Sequence, residues 1–234
     1  MSSNLIHSET NTNLNTSAYP SADPSLRKVM MHKVNRVLDN LKRNNMNGYY
    51  VETLDELKAL VTTLVPPKSS IAVGGSQTLT ETGMLQWIRE NDFQFYDRYA
   101  PGLSADDLKQ IHRKAFTVDA YFCSSNAITE NGELYNVDGS GNRVAAMIYG
   151  PDRVIVIAGI NKIVKDIDDA IRRNREIAAP TNSVRLNMST PCAVTGSCAD
   201  CKTPARICCA YSTIGFQRNK DRMHVILVDG YFGY

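Results

Sequence analysis

Apolar residues first settle into a pattern behind Pro24, where Leu26, Val29, Met30, Val34, Val37, Leu38 and Leu41 recur at three- and four-residue steps. That period describes one face of an amphipathic helix, and Asn47-Gly48 is the stop it predicts. A short "YYV" strand follows, then a helical period over "TLDELKALVTTLV", with Thr53 and Glu56 at capping-box spacing and Pro66-Pro67 beyond its end. From there short, nearly continuous apolar runs alternate with helical periods. The predicted strands are "IAVGG" (71–75), "FQFYDR" (93–98), "VDAYFC" (118–123), "VIVIAG" (154–159) and "HVILVDG" (224–230). Between them the pattern predicts helices over "LTETGMLQWIREN", over "SADDLKQIHRKAF" behind Ser104, near 143–149, and over "KIVKDIDDAIRRNREIA". Strands alternating with helices of this length imply right-handed crossovers, hence an α/β fold: an open, mostly parallel sheet flanked by helices. No internal repeat interrupts the alternation.

Composition alters this picture little. At 234 residues, 43% hydrophobic and 21% charged, the chain can bury one large core. A net charge of +2 with both signs interleaved argues against a nucleic-acid binder. No apolar run reaches the length of about eighteen residues that a membrane helix needs. Residues 1–22 are Ser/Thr/Asn-rich and lack a secretion signal's basic start and apolar run, so they read as a flexible arm on a main domain over 23–234. The cytoplasm is the compartment this implies.

In open parallel sheets ligands sit beyond the carboxyl ends of the strands. Three polar, glycine-bearing loops fall there. In "GGSQTLTETG", Gly74, Gly75, Ser76 and Thr78 offer backbone N–H groups and hydroxyls suited to phosphate or carboxylate, although Ser76 also fits a plain helix cap. Glu81 lies a turn further on. In the loop from Ser124 to Asn142, Asn126, Glu133, Asn136, Asp138, Gly139 and Asn142 precede Arg143, whose fork suits an anionic ligand; hairpin turns at "ENGE" and "DGSG" account for much of the same stretch. In "AGINKIV", Asn161 suits a helix cap and Lys162 places a positive charge at a strand end. Together these loops point to a small anionic metabolite. Histidines 7, 32, 112 and 224 have no dyad or ligand spacing, and no Ser–His–Asp or Cys–His signature is present.

Five of the six cysteines crowd into 190–212. The run Cys192-x5-Cys198-x2-Cys201-x6-Cys208 has the make-up of a four-thiolate metal site, for zinc or for an iron–sulfur cubane. Gly196 allows a tight turn, and Lys202 and Arg206 offset thiolate charge. Cys209 is too close to its neighbour to share one tetrahedron, and Cys123, closing an apolar strand, reads as a small buried hydrophobe.

The segments "GGSQTLTETG", "SSNAITENGELYNVDGSGNRVAAMIYGPDRVIVIAGINKIV" and "APTNSVRLN…TPCAVTGSCADC…RICC" together resemble the LUD-domain family of lactate-utilisation proteins over about residues 25 to 230. The resemblance implies the fold of ribose-5-phosphate isomerases, glucosamine-phosphate deaminases and CoA transferases. It implies iron–sulfur or flavin redox partner proteins in the oxidation of lactate to pyruvate, and a [4Fe-4S] cluster on Cys192, Cys198, Cys201 and Cys208. In its cysteine-bearing subgroup an asparagine follows the last ligand, where this chain has Cys209. By the same analogy Gly74 to Thr78 form the anion loop, faced by Asp138-Gly139. The expectation is thus a redox component of hydroxy-acid metabolism that assembles with itself or with such partners. The alternatives are an accessory or sensor protein with a structural zinc, and an isomerase- or transferase-like enzyme using Glu81 or Asp138 as base.

Overall fold

The computed structural model describes residues 23–234. The arm expected over 1–22 lies outside the described residues. In chain order the strands are β1 (Asn47–Val51), β2 (Ser70–Val73), β3 (Gln94–Tyr96), β4 (Ala120–Cys123), β5 (Ala127–Thr129), β6 (Leu134–Asp138), β7 (Val154–Gly159), β8 (Ile163–Val164), β9 (Ala210–Ile214) and β10 (Met223–Val228). The helices are α1 (Pro24–Arg43), α2 (Leu54–Leu64), α3 (Gln77–Glu81), α4 (Met84–Glu90), α5 (Ala105–Lys114), α6 (Asn142–Tyr149), α7 (Ile167–Arg173), α8 (Ala179–Arg185) and α9 (Pro191–Thr195).

Six strands form one all-parallel sheet in the order β1-β10-β7-β4-β2-β3. These are the six predicted strands. The central strands β4, β7 and β10 were legible because a strand covered on both faces by helices needs apolar side chains at nearly every position. β7 and β10 are buried along their whole length. One face packs Val34, Val37 and Leu41 of α1 against Val156 and Val225, and the other packs Leu57 and Val61 of α2 and Met84 and Ile88 of α4 against Ile155 and Ile226. With every strand running the same way, the carboxyl ends of β2, β4 and β7 open onto one edge.

Several boundaries differ from the sequence reading. α1 stops at Asn44–Asn45, where Asn45 takes a left-handed φ of 58°, and Asn47-Gly48 instead begin β1. Asparagine tolerates that conformation because its short side chain can bond locally. Gly83, at φ 69°, splits the expected single helix into α3 and α4. Only half of the expected capping box forms at Thr53: its hydroxyl accepts from the Glu56 N–H, but the Glu56 carboxylate accepts from the N–H of Glu52. Ser104 and Asp107 make a complete one on α5. The helix expected from Lys162 begins five residues later, capped by Asp166. It then runs through a π-turn at Asn174–Ala178 into α8.

The polar loop 124–142 holds structure that its composition hid. β5 and β6 pair as an antiparallel hairpin whose turn is the "ENGE" predicted, whereas "DGSG" leads from β6 into α6. With β8 and β9 they form a second sheet in the order β8-β5-β6-β9. The hairpin tip is fixed to α1, since the Asn44 amide donates to the carbonyls of Asn131 and Gly132.

Candidate functional site

Where the large sheet opens, a cavity of about 350 Å³ is lined by residues from the glycine loop, the β3 end, the β5–β6 hairpin, the start of α6, and α8. Its floor is Lys162. This side chain is 3% exposed, and its Nζ donates to Thr78 Oγ1 (2.9 Å), Ser124 Oγ (3.1 Å) and the Ser125 carbonyl (3.2 Å). All three partners are neutral. Burial pulls the Lys162 pKa well below its ordinary value, and the charges of Arg173 and Arg143 pull the same way. An anion in the cavity would reverse that penalty, because an opposite charge at close range favours the ammonium.

Arg143 occupies one wall, but its donors face the protein. Its Nε donates to Asp138 Oδ1 (2.9 Å), Nη1 to the Ser124 carbonyl and Asn136 Oδ1 (2.8 and 2.6 Å), and Nη2 to Asn126 Oδ1 (2.7 Å). Asp138 completes the knot by accepting from the Val144 N–H at 2.8 Å. Arg143 and Asp138 side chains are only 10% and 9% exposed. The fork expected to grip a ligand thus braces the hairpin against α6. Gly74 lies behind it: a Cβ there would stand 2.9 Å from the Tyr121 hydroxyl and 3.0 Å from Arg143 Cγ.

Of the residues singled out from sequence, Gly75, Ser76, Asn126, Asp138, Gly139, Asn142, Arg143 and Lys162 line this cavity together. Thr78 stands just behind, bound to Lys162. Asn161 does not cap a helix; it holds the chain end, donating to the Gly233 carbonyl and accepting from the Phe232 N–H. Glu81 accepts from the Gly233 N–H, and Glu133 bonds Thr129 within the hairpin, away from the cavity. Sequence reasoning missed Arg98, Tyr99, Asn182, Arg185 and Tyr234, all in the lining. Arg98 was findable, since it follows β3 at the same carboxyl edge. Arg185 and Tyr234, whose hydroxyl accepts from Arg185 and donates to Asn182, are brought in by long-range packing alone.

A second cavity, also about 350 Å³, is lined by Cys192, Cys198, Cys201 and Cys208, with Tyr135, Ile171, Ala179 and Ile207 among its walls. The four thiols picked out by spacing share this one space. Exposed Cys209 is not in its lining, and its Sγ is directed to the Arg206 carbonyl. Arg206 organises the loop: Nε donates to the Cys208 carbonyl (2.7 Å), Nη1 to the Cys201 carbonyl, and Nη2 to Asp200 and Tyr211. Cys192 is held between Thr190 Oγ1 and Ser183 Oγ. Burial, reinforced by Cys198 and Cys192, pushes the Cys208 thiol up to about 11. Among the described residues no three thiols, carboxylates or imidazoles stand close enough to hold an ion as arranged. The donor set fits a thiophilic centre in kind, and the exposed loop around Cys198 and Asp200 would have to draw inwards to close around one.

The LUD domain family model matches residues 34–228. The chain belongs to the LUD domain family. That family relates to lactate utilisation. No curated protein matches this LUD domain in sequence. Among solved structures it is similar to a DUF162 family protein from Deinococcus radiodurans, with 16% identity and a TM-score of 0.48, covering 86% of this chain and 98% of that one. A fainter likeness links it to eIF2B delta from Chaetomium thermophilum (16% identity, TM-score 0.34, 63% of this chain and 56% of that one). Another links it to a Pseudomonas malonate decarboxylase hetero-tetramer in complex with malonate (12% identity, TM-score 0.38, 90% and 39%). Among the described residues of the LUD domain no helix is long and apolar enough to cross a membrane.

Proposed function

We propose that this LUD-domain protein is a redox component of hydroxy-acid metabolism, which binds a small hydroxy carboxylate above Lys162 and carries an iron–sulfur cluster on Cys192, Cys198, Cys201 and Cys208. The observation that carries the reading is the adjacency of the two cavities. Ile207 lines both, and the helix from α7 to α8 runs between them, with Asn174, Ala179 and Ser183 toward the thiols and Ala178, Asn182 and Arg185 toward Lys162. The π-turn in that helix falls at this partition, where such turns often mark functional sites. The Cys209 N–H also donates to the Asp138 carbonyl at 2.8 Å, tying the thiol loop to the wall of the anion cavity.

Bound there, a cluster supplies one-electron transfer. Oxidation of a hydroxy acid to an oxo acid releases two electrons and two protons, so a flavin or iron–sulfur partner protein completes the reaction. Lys162 would hold the carboxylate, Ser124 would orient the hydroxyl, and Ile207 would separate the substrate from the cluster. The test is metal and sulfide analysis of protein purified without oxygen. About four irons and four sulfides per chain are expected, lost in a Cys198→Ser/Cys201→Ser variant and kept in Cys209→Ser. One zinc without sulfide would leave the thiols as a structural clasp and end the redox reading.

A further inference from the structure

We infer that the ligand above Lys162 carries two anionic groups: a hydroxy acid with a second carboxylate or a phosphate at its far end. This rests on the reading of that cavity as an anion site, and narrows it. Four cationic side chains, Arg98, Arg143, Lys162 and Arg185, share the lining with a single carboxylate side chain, that of Asp138. Arg143 and Asp138 neutralise each other at 2.7 Å. Lys162, Arg98 and Arg185 are left without an ion pair among the described residues. Lys162 has hydroxyl and carbonyl partners, Arg185 has the Tyr234 hydroxyl and the Asn182 amide oxygen, and Arg98 lies over the Tyr99 ring, 5.5 Å from its centre. Glu81, whose charge favours the Lys162 ammonium, is outside the lining and accepts from the Gly233 N–H.

These cations differ in depth. Lys162 is buried on the floor, whereas Arg98 is half-buried beside Gly75 and Arg185 is exposed at the end of α8. A single carboxylate set on Lys162, beside the Ser124 hydroxyl, leaves both guanidinium groups at the mouth unanswered. A second anionic head reaches them. Guanidinium groups suit it, because their planar forks match carboxylate and phosphate oxygens pairwise.

Calorimetric titration of the full chain at fixed ionic strength tests this with three probes: L-lactate, L-malate and 3-phosphoglycerate. Malate or 3-phosphoglycerate should bind roughly 10- to 100-fold more tightly than lactate, the gain of an added charge-assisted contact. Whichever of the two is tighter tells carboxylate from phosphate at the outer position. Arg98→Gln and Arg185→Gln, both away from the core, should bring the two-headed ligand to within about twofold of lactate, with lactate itself losing much less affinity than the two-headed ligand does. Lactate binding as tightly as both others, or losing affinity in step with them in these variants, would overturn the inference while leaving the anion site standing. Binding of none of the three would remove the anion site itself, and this inference with it.

Discussion

Replacing Arg143 by leucine should destabilise the protein far more than it weakens ligand binding. The substitution leaves Asp138 buried, with the Val144 N–H as its remaining close partner, and removes donors from the Asn126 and Asn136 side chains and from the Ser124 carbonyl. Removing one partner of a buried charge pair costs about 3–5 kcal/mol. At about 2–4 °C per kcal/mol for a domain of this size, the melting temperature should fall by roughly 6–20 °C. Urea unfolding followed by circular dichroism gives the loss directly, provided the slope m is unchanged. Adding Asp138→Leu to Arg143→Leu removes the stranded carboxylate, so the double variant should recover at least about 1 kcal/mol relative to the sum of the singles. A loss below about 1 kcal/mol, together with a large drop in affinity for anions, would refute this reasoning and return Arg143 to the ligand-gripping role its sequence suggests.

Other outcomes follow from single environments. His224 is buried and neutral: Tyr49 donates to its Nδ1 (3.1 Å), its Nε2–H donates to the Asp221 carbonyl (3.0 Å), and burial holds its pKa below 6.5. The unfolded chain therefore takes up the proton first, and stability should fall as pH drops below about 6.5; His224→Gln should flatten that slope, and an unchanged slope would count against the assignment. In metal-free protein at pH 8, iodoacetamide should modify exposed Cys209 and Cys198 first and reach Cys123, buried with its thiol pushed up to about 12, only in denaturant. Gly132 sits at φ 76° with a Cβ position 2.7 Å from the Leu41 backbone nitrogen, so Gly132→Ala should cost more than about 1 kcal/mol and speed amide exchange where the hairpin meets α1. Arg206→Gln should lower metal retention against a chelator by about 10- to 100-fold, as loss of outer-shell support does elsewhere; retention equal to the parent would free Arg206 of any part in shaping the loop.

The sequence read best where one kind of force dominated. Ile155, Val156 and Ile157 must be apolar because helices cover both faces, and that run announces a central strand without further context. β8, only two residues long, and β9, whose Tyr211 and Thr213 alternate with half-buried Ser212, carry no such signal. They are strands because β5 and β6 offer them an edge. The same contrast divides the anion cavity. Ser76, Asp138 and Lys162 sit where chain direction and glycine punctuation put them, at the end of a strand or just past one. Arg185 and Tyr234 arrive from a helix and a tail that only packing brings across. Arg143 lies in the cavity wall with Asn126 and Asp138, and what the spacing left unread is that Asn126, Asn136 and Asp138 are bonded to it.

β1 has a single partner in the large sheet, β10, whose residues His224 to Val228 pair with Asn47 to Val51. On the ribosome, therefore, the segment from α1 to α2 emerges long before the strand that joins it to the sheet. β2, β3, β4 and β7 can assemble meanwhile, leaving the flank of β7, rich in valine and isoleucine, as an open edge of the kind that recruits other chains. Synthesis of residues 223–228 closes that edge by inserting between segments already made. The closing step spans most of the chain and is the slowest kind of contact to form. Protection from aggregation during translation thus depends on how quickly the last strand follows, and a chain that stalls before it should engage chaperones as a four-stranded intermediate.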